Sequence, residues 1–203
     1  MLRDNHYDLA FRAYLRARRI PHVAVDESRR ALMRNQSLKS IDFIVSPPGK
    51  EGMLVDVKGR RFPGGKTSKG NRWENWVTAD DIESLLHWQE IFGTGFRSAL
   101  IFVYDLTEPS SVSEFSETFR FRDRQYACCG VWADEYQVEM RERSASWKTV
   151  ALPRRAFHEL RYPLGKLLGD DLPELEQTTE RTGGNQSVQT NFESTAFPQQ
   201  SAD

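Results

Sequence analysis

Two rhythms of apolar residues run along this chain. From about Asp4 to Arg19 the residues Tyr7, Ala10, Phe11, Tyr14, Leu15 and Ala17 recur mostly at helical spacing, which predicts an amphipathic helix with Arg12, Arg16 and Arg19 on its wetter side. Pro21 ends it. The rhythm then changes to period two. Ile20 to Val25 reads as a short strand, and Ser40 to Val45 and Met53 to Lys58 read as two more, joined through Pro47, Pro48, Gly49 and Gly52. Gly59 to Asn75 has no period, holds several glycines among Lys, Arg and Trp, and reads as a mobile basic loop.

Thr78-Ala79-Asp80-Asp81 carries the capping signal for a helix to about Phe92, with Ile82, Leu85, Leu86 and Ile91 on its apolar side and Gly93 and Gly95 as its stop. Ala99 to Tyr104 reads as a buried strand, Phe119 to Trp132 as a hairpin turning at Asp123-Arg124. A helix follows Asp134, then a strand over Trp147 to Leu152 and a short helix opened by Pro153. This order predicts an α/β fold with a mixed β-sheet flanked by helices. A single domain is expected over residues 1–170, with its core at about 5–104 and an added hairpin and helix region at about 115–165. Residues 172–203 are polar and acidic with scattered Phe, a composition expected to stay disordered.

Composition changes this picture in three places. Hydrophobic residues make up 38% and charged ones 28%, and no apolar run is long enough to span a bilayer, so a cytoplasmic protein without a membrane partner is expected. The two cysteines, Cys128 and Cys129, are adjacent, a spacing that suits reduced packing residues better than a disulfide or a zinc site. Net charge is −1, but it is unevenly spread: residues 1–70 carry 15 Lys and Arg against 7 Asp and Glu, whereas 170–203 carry 7 acids against one Arg. That asymmetry points to a polyanionic partner for the first half, although a solvated basic helix accounts for it equally well.

The candidate chemistry lies in the two central strands. If Val45 pairs with Met53 in a hairpin, Asp42 falls opposite Asp56 and Ser40 opposite Lys58, with Leu54, Asp56 and Lys58 on one face. Carboxylates so placed have Cβ atoms about 4.5–5.5 Å apart and repel. Asp is also a poor strand former, so the pair asks for compensation. A divalent ion provides it, and oxygen ligands of this kind suit Mg²⁺ or Mn²⁺. Lys58 would then orient or activate a water and steady developing negative charge. The bland alternative is a structural salt bridge, because D-x-K alone is a weak motif.

The arrangement of helix, strand, Asp42 strand, turn, Asp56-Val57-Lys58 strand, helix and strand resembles the PD-(D/E)XK nuclease superfamily, its resolvase-like members above all. The resemblance covers about Asn5 to Tyr104 and implies a restriction-endonuclease-like fold and a metal-dependent nuclease acting on DNA, with branched or damaged DNA one substrate class. The alternative it leaves is a catalytically weak DNA-binding module of the same fold. It also implies Asp42, Asp56 and the Val57 carbonyl as metal ligands, Lys58 as the group that activates water, and an added acid on the first helix, here Asp8. The rival for that acid is Glu27. His6, Tyr7, Ala10 and Phe11 are similar to the signature of the HYExAFE family, with Asp8 and Arg12 where that signature has Glu. Arg60, Arg61 and Trp73 are candidate DNA contacts, with Trp76 less so; Gln89 lies where some members of the superfamily carry a site Gln, although a solvated helix Gln is the commoner reading, and His6 is a candidate supporting group. Resolvase-like proteins often work as dimers, so a homodimer is a further expectation.

Overall fold

The Asn5 side chain opens the first helix by accepting hydrogen bonds from the N–H groups of Tyr7 (2.8 Å) and Asp8 (3.2 Å), which leaves α1 to run over His6–Ala17. The computed structural model describes residues 5–25, 31–33, 36–63 and 73–169. Glu27, most of the glycine-rich basic segment (64–72) and the acidic C-terminal stretch from 170 lie outside the described residues.

After α1 come β1 (His22–Ala24), β2 (Ala31–Met33), β3 (Gln36–Leu38), β4 (Phe43–Val45), β5 (Gly52–Phe62), β6 (Val77–Thr78), α2 (Ala79–Phe92) and β7 (Phe96–Leu106). A 3₁₀ turn at Pro109–Glu114 leads to β8 (Phe119–Phe121), β9 (Arg124–Trp132), α3 (Ala133–Glu139), β10 (Arg141–Ser144) and β11 (Thr149–Ala151). The chain continues through α4 (Arg154–Leu160), β12 (Tyr162–Pro163) and α5 (Leu164–Leu168).

The main sheet has the order β1-β4-β5-β7-β9-β12, with β8 hydrogen-bonded to β9. Its long central pair, β5 and β7, is parallel in register from Gly52↔Phe96 to Phe62↔Leu106, while the other neighbours are antiparallel. A parallel pair needs a crossover, and α2 supplies it. This is the mixed sheet with flanking helices that the sequence leads one to expect.

Strand alternation assigns the two faces. Val55 and Val57 of β5, with Ala99, Ile101 and Val103 of β7, pack against Ala10, Phe11, Tyr14 and Leu15 of α1. Leu54, Leu100, Phe102 and Tyr104 pack against Ile82 and Leu85 of α2. Phe11 and Leu15 are fully buried, each contributing about 1.5–3 kcal/mol from area alone. The even-numbered residues of β5, Asp56 and Lys58 among them, therefore share the α2 face.

Several boundaries differ from expectation. Gly59, Arg60 and Arg61 are strand, not loop, because the parallel edge of β7 pairs with them as far as Phe62. The strand expected over Trp147 to Leu152 shortens to Thr149–Ala151 and joins β10 and β6 in a small second sheet. The β2–β3 pair is not anticipated by the sequence pattern at all. Cys128 and Cys129 lie on β9 as free thiols. No described helix is long and apolar enough to cross a membrane.

Candidate active site

The β4–β5 hairpin has the register expected from alternation: Val45↔Met53, Ile44↔Leu54 and Phe43↔Val55. One step further the ladder breaks. Asp42 precedes β4 instead of lying on it, and its N–H donates to the Val55 carbonyl at 2.8 Å while its own carbonyl accepts from Val25 N–H at 2.8 Å. Departures of this kind re-aim a side chain. The Asp42 Oδ2 takes up the Val57 N–H at 2.6 Å, so a carboxylate fills the position of the next ladder acceptor. Within one strand residue the N–H and C=O point to the same side, so the Val57 carbonyl faces that same edge. The expected Ser40–Lys58 opposition is not formed, since the pairing ends at Phe43.

Asp56 and Lys58 meet on the α2 face. Lys58 Nζ lies 2.7 Å from Asp56 Oδ2 and 3.3 Å from Asp81 Oδ2, so one ammonium serves two carboxylates. Asp81 is the better served of the two acids. Its Oδ1 accepts from Lys39 Nζ at 2.7 Å, and its Oδ2 accepts the Thr78 N–H at 2.8 Å within the capping box of α2. Lys39 Nζ also donates to Thr78 Oγ1 at 2.8 Å. The Lys39 backbone is pinned by Trp88 Nε1, which donates to its carbonyl at 2.8 Å, and by Ser84 Oγ, which accepts its N–H at 3.2 Å.

The protonation preferences follow from this unequal sharing. Burial pushes Asp81 up, but the Lys58 charge and the hydrogen bonds from Lys39 and Thr78 outweigh it and hold the carboxyl down at about 2. Burial pulls the Lys58 ammonium down, but Asp56 and Asp81, with a smaller contribution from Asp42, raise it above its usual value. Asp56 itself is raised, by burial first and then by the Asp81 charge, against the opposing pull of Lys58 and Lys39. The Lys58 contact at 2.7 Å makes an ion pair, and Asp56 Oδ2 is buried with no other donor among the described residues. Asp56 is thus the unfinished acid of the cluster.

That buried oxygen, the Asp42 carboxylate at the adjoining edge and the Val57 carbonyl are hard donors of the kind Mg²⁺ and Mn²⁺ take, and they fit such an ion chemically. Among the described residues, no group of three His, Cys, Asp or Glu side chains is gathered about one point.

Asp8 is buried in the first turn of α1, the helix that covers the Val55 and Val57 face of β5. Its neighbour Tyr7 lies against Gly59, where a Cβ would meet the ring at 2.1 Å. Arg60 donates to the Gly59 carbonyl at 2.8 Å and to the Trp76 carbonyl, and its guanidinium lies 4.2 Å from the Trp76 ring centroid; Arg61 is exposed. Trp73 packs among Phe62, Tyr104 and Phe115, with the Arg161 guanidinium 3.7 Å from its ring centroid. Gln89 Oε1 accepts the Ser98 N–H at 2.7 Å and ties α2 to β7, and His6 Nδ1 is paired with the Tyr126 hydroxyl at 2.9 Å.

Sequence reasoning missed Lys39 and Asp81 as site residues. Asp81 was legible as a cap and nothing more. The signal that could have found it is topological: a right-handed crossover from β5 to a parallel neighbour brings the helix start over the strand carrying D-x-K.

No family model and no curated protein sequence matches this chain. Among solved structures it is similar to that of Hjc from Archaeoglobus fulgidus, a Holliday junction resolvase from an archaeal hyperthermophile, with 13% identity and a TM-score of 0.47 over 81% of this chain and 98% of that one.

Proposed function

We propose that this chain is a metal-dependent nuclease that hydrolyses DNA phosphodiester bonds, on branched or damaged DNA. The observation that carries the reading is the buried Asp56 oxygen, which shares Lys58 with Asp81 and has no other donor among the described residues. In this reading Asp42, Asp56 and the Val57 carbonyl hold Mg²⁺ or Mn²⁺. Such an ion polarises the phosphodiester and makes a bound water more acidic.

Lys58 acts as a cation. Held between Asp56 and Asp81, it orients or activates the attacking water or steadies a non-bridging phosphate oxygen. The water oxygen would bond to phosphorus and give up a proton to solvent, the bond to the leaving oxygen would break, and the leaving oxygen would take a proton from solvent. Asp81 and Lys39 keep Lys58 in place without touching the phosphate. Asp8 supports a water or a second ion from the α1 side, and its segment retains the HYExAFE likeness. Arg61, exposed at the end of β5, suits a phosphate; Arg60 and Trp73 have their strongest contacts within the protein. DNA is the partner, a homodimer the assembly and the cytoplasm the compartment in this reading.

The test is a panel of branched, nicked, duplex and single-stranded DNAs with Mg²⁺, Mn²⁺ or EDTA. Nicking that needs the ion and vanishes in Asp56→Asn is the expected result; no cleavage of any substrate with either ion ends the enzymatic reading. A second reading, a DNA-binding module of nuclease fold, is favoured by one observation: Lys58 is held by Asp56 and Asp81, and no third acid joins the cluster among the described residues. Binding without turnover at saturating Mn²⁺ selects it.

A further inference from the structure

The small sheet β10-β11-β6 is not used by the chemistry above, yet it is fastened to the site. Thr149 pairs with Thr78, the residue that caps α2 and accepts from Lys39, and Val150 pairs with Val77. The Lys148 carbonyl accepts the Ala79 N–H at 3.0 Å. Two residues from Thr149, at the tip of the β10–β11 hairpin, Trp147 is 78% exposed, the highest value among the large hydrophobic side chains described as exposed.

Single exposed apolar residues are ordinary, so exposure alone means little. Three further observations set Trp147 apart. Its turn is held by the Lys148 N–H donating to the Ala145 carbonyl at 3.2 Å and by a 3.1 Å contact between the Ser144 and Ser146 hydroxyls. Lys148 adopts the left-handed region at φ 46°, a conformation that costs a non-glycine residue free energy and that recurs where strain serves a site. The hairpin itself is cationic: over residues 141–148 Arg141, Arg143 and Lys148 stand against the one carboxylate of Glu142, and Arg143 lies 5.1 Å from the Trp76 ring centroid, with Asp80 and Asp81 beyond the Ala79 contact.

We infer that the β10–β11 tip is a nucleic-acid-binding prong, on which the Trp147 indole stacks with an unpaired base while Arg143 and Lys148 meet the adjoining phosphates. The inference deepens the nuclease reading and rests on it for the choice of ligand. An indole flanked by cations fits a base with its phosphate, because every base offers a π-face and the strand is polyanionic. Placed beside Thr78 and Asp81, the prong would engage single-stranded DNA at a branch, next to the strand offered to Lys58.

The experiment uses the full chain in EDTA, so that no cleavage occurs, with a forked DNA carrying 2-aminopurine at the branch and a fully paired duplex as control. Trp147→Ala is expected to weaken fork binding roughly 5- to 150-fold, with Trp147→Phe close to the parent. Stacking on the indole should quench 2-aminopurine in the parent and not in Trp147→Ala, and melting temperatures should agree. Equal fork affinity of parent and Trp147→Ala overturns the inference. So does a change in oligomeric state with unchanged affinity, which would make the tip a protein contact. Fork binding that depends on Trp147 in a protein that never cleaves leaves the inference standing and removes the nuclease reading. Metal-dependent cleavage with binding indifferent to Trp147 does the reverse.

Discussion

Asp56 on β5 and Asp105 on β7 both sit within eleven-residue strands of the same parallel pair, and both side chains are mostly buried, at 13% and 7% exposure. Asp105 has a counter-ion of its own: Arg124 Nη1 donates to its Oδ2 at 2.6 Å, and Arg124 keeps its other side in water. Asp56 shares Lys58 with Asp81, and its Oδ2 has no other donor among the described residues. The difference separates two uses of a strand aspartate. A carboxylate with a dedicated, aligned cation is a closed structural pair, whereas one that divides its cation with a second acid retains capacity for another positive charge.

The sharpest way to break the comparison is to neutralise each acid in turn. Asp56→Asn or Lys58→Ala should lower ion-dependent nicking by at least about 10²-fold, while the melting temperature of Asp56→Asn holds or rises. Asp105→Asn should lower the melting temperature and leave nicking in place. A folded Asp105→Asn that no longer nicks would erase the distinction.

Asp81→Asn is expected to cost about 2 kcal/mol at neutral pH, measured by urea denaturation. The sign follows from its depressed carboxyl: the stabilisation is complete above the unfolded value of 3.8 and is lost as pH falls through about 2. The gap between parent and variant should therefore close across that window. A gap that persists at pH 2 would mean that Asp81 acts through packing and not charge.

Thr78→Ala removes the cap that accepts from Asp81 N–H and Lys39, and should cost about 1 kcal/mol with the ion pairs intact. The smallest effect concerns the acidic stretch. Removing residues 173–203 should tighten DNA binding by a few-fold at low salt, an advantage that fades as the Debye length shrinks toward about 8 Å. Fluorescence anisotropy over a salt series reads it, and equal affinities at low salt would make that stretch irrelevant to binding.

What was legible in the sequence is what local periodicity encodes. The β4–β5 register could be read because shifting it by one residue would turn Val45, Met53 and Val55 away from the α1 core. Asp42's departure from that ladder could not, since it depends on a carboxylate replacing a backbone acceptor at Val57. The strand character of Gly59 to Arg61 was hidden because their partners on β7 supply hydrogen bonds and not an apolar pattern. Lys39 and Asp81 meet only once α2 has crossed over the sheet, and the Thr78–Thr149 pairing joins segments far apart in sequence. Contacts of that kind leave no local trace.

Gly59 follows Lys58 directly, and the Tyr7 ring occupies the space its side chain would need. Every substitution of glycine introduces a Cβ, so none of the single replacements open to this position is small. For a lineage drifting in sequence, the junction of α1 with the D-x-K strand has no gentle neighbour. Ala, the mildest step, already presses on the turn of α1 that carries Asp8, and a compensating loss of bulk at Tyr7 would have to arrive with it. These two positions should therefore change together or not at all, and libraries that randomise Gly59 alone should return the parent residue.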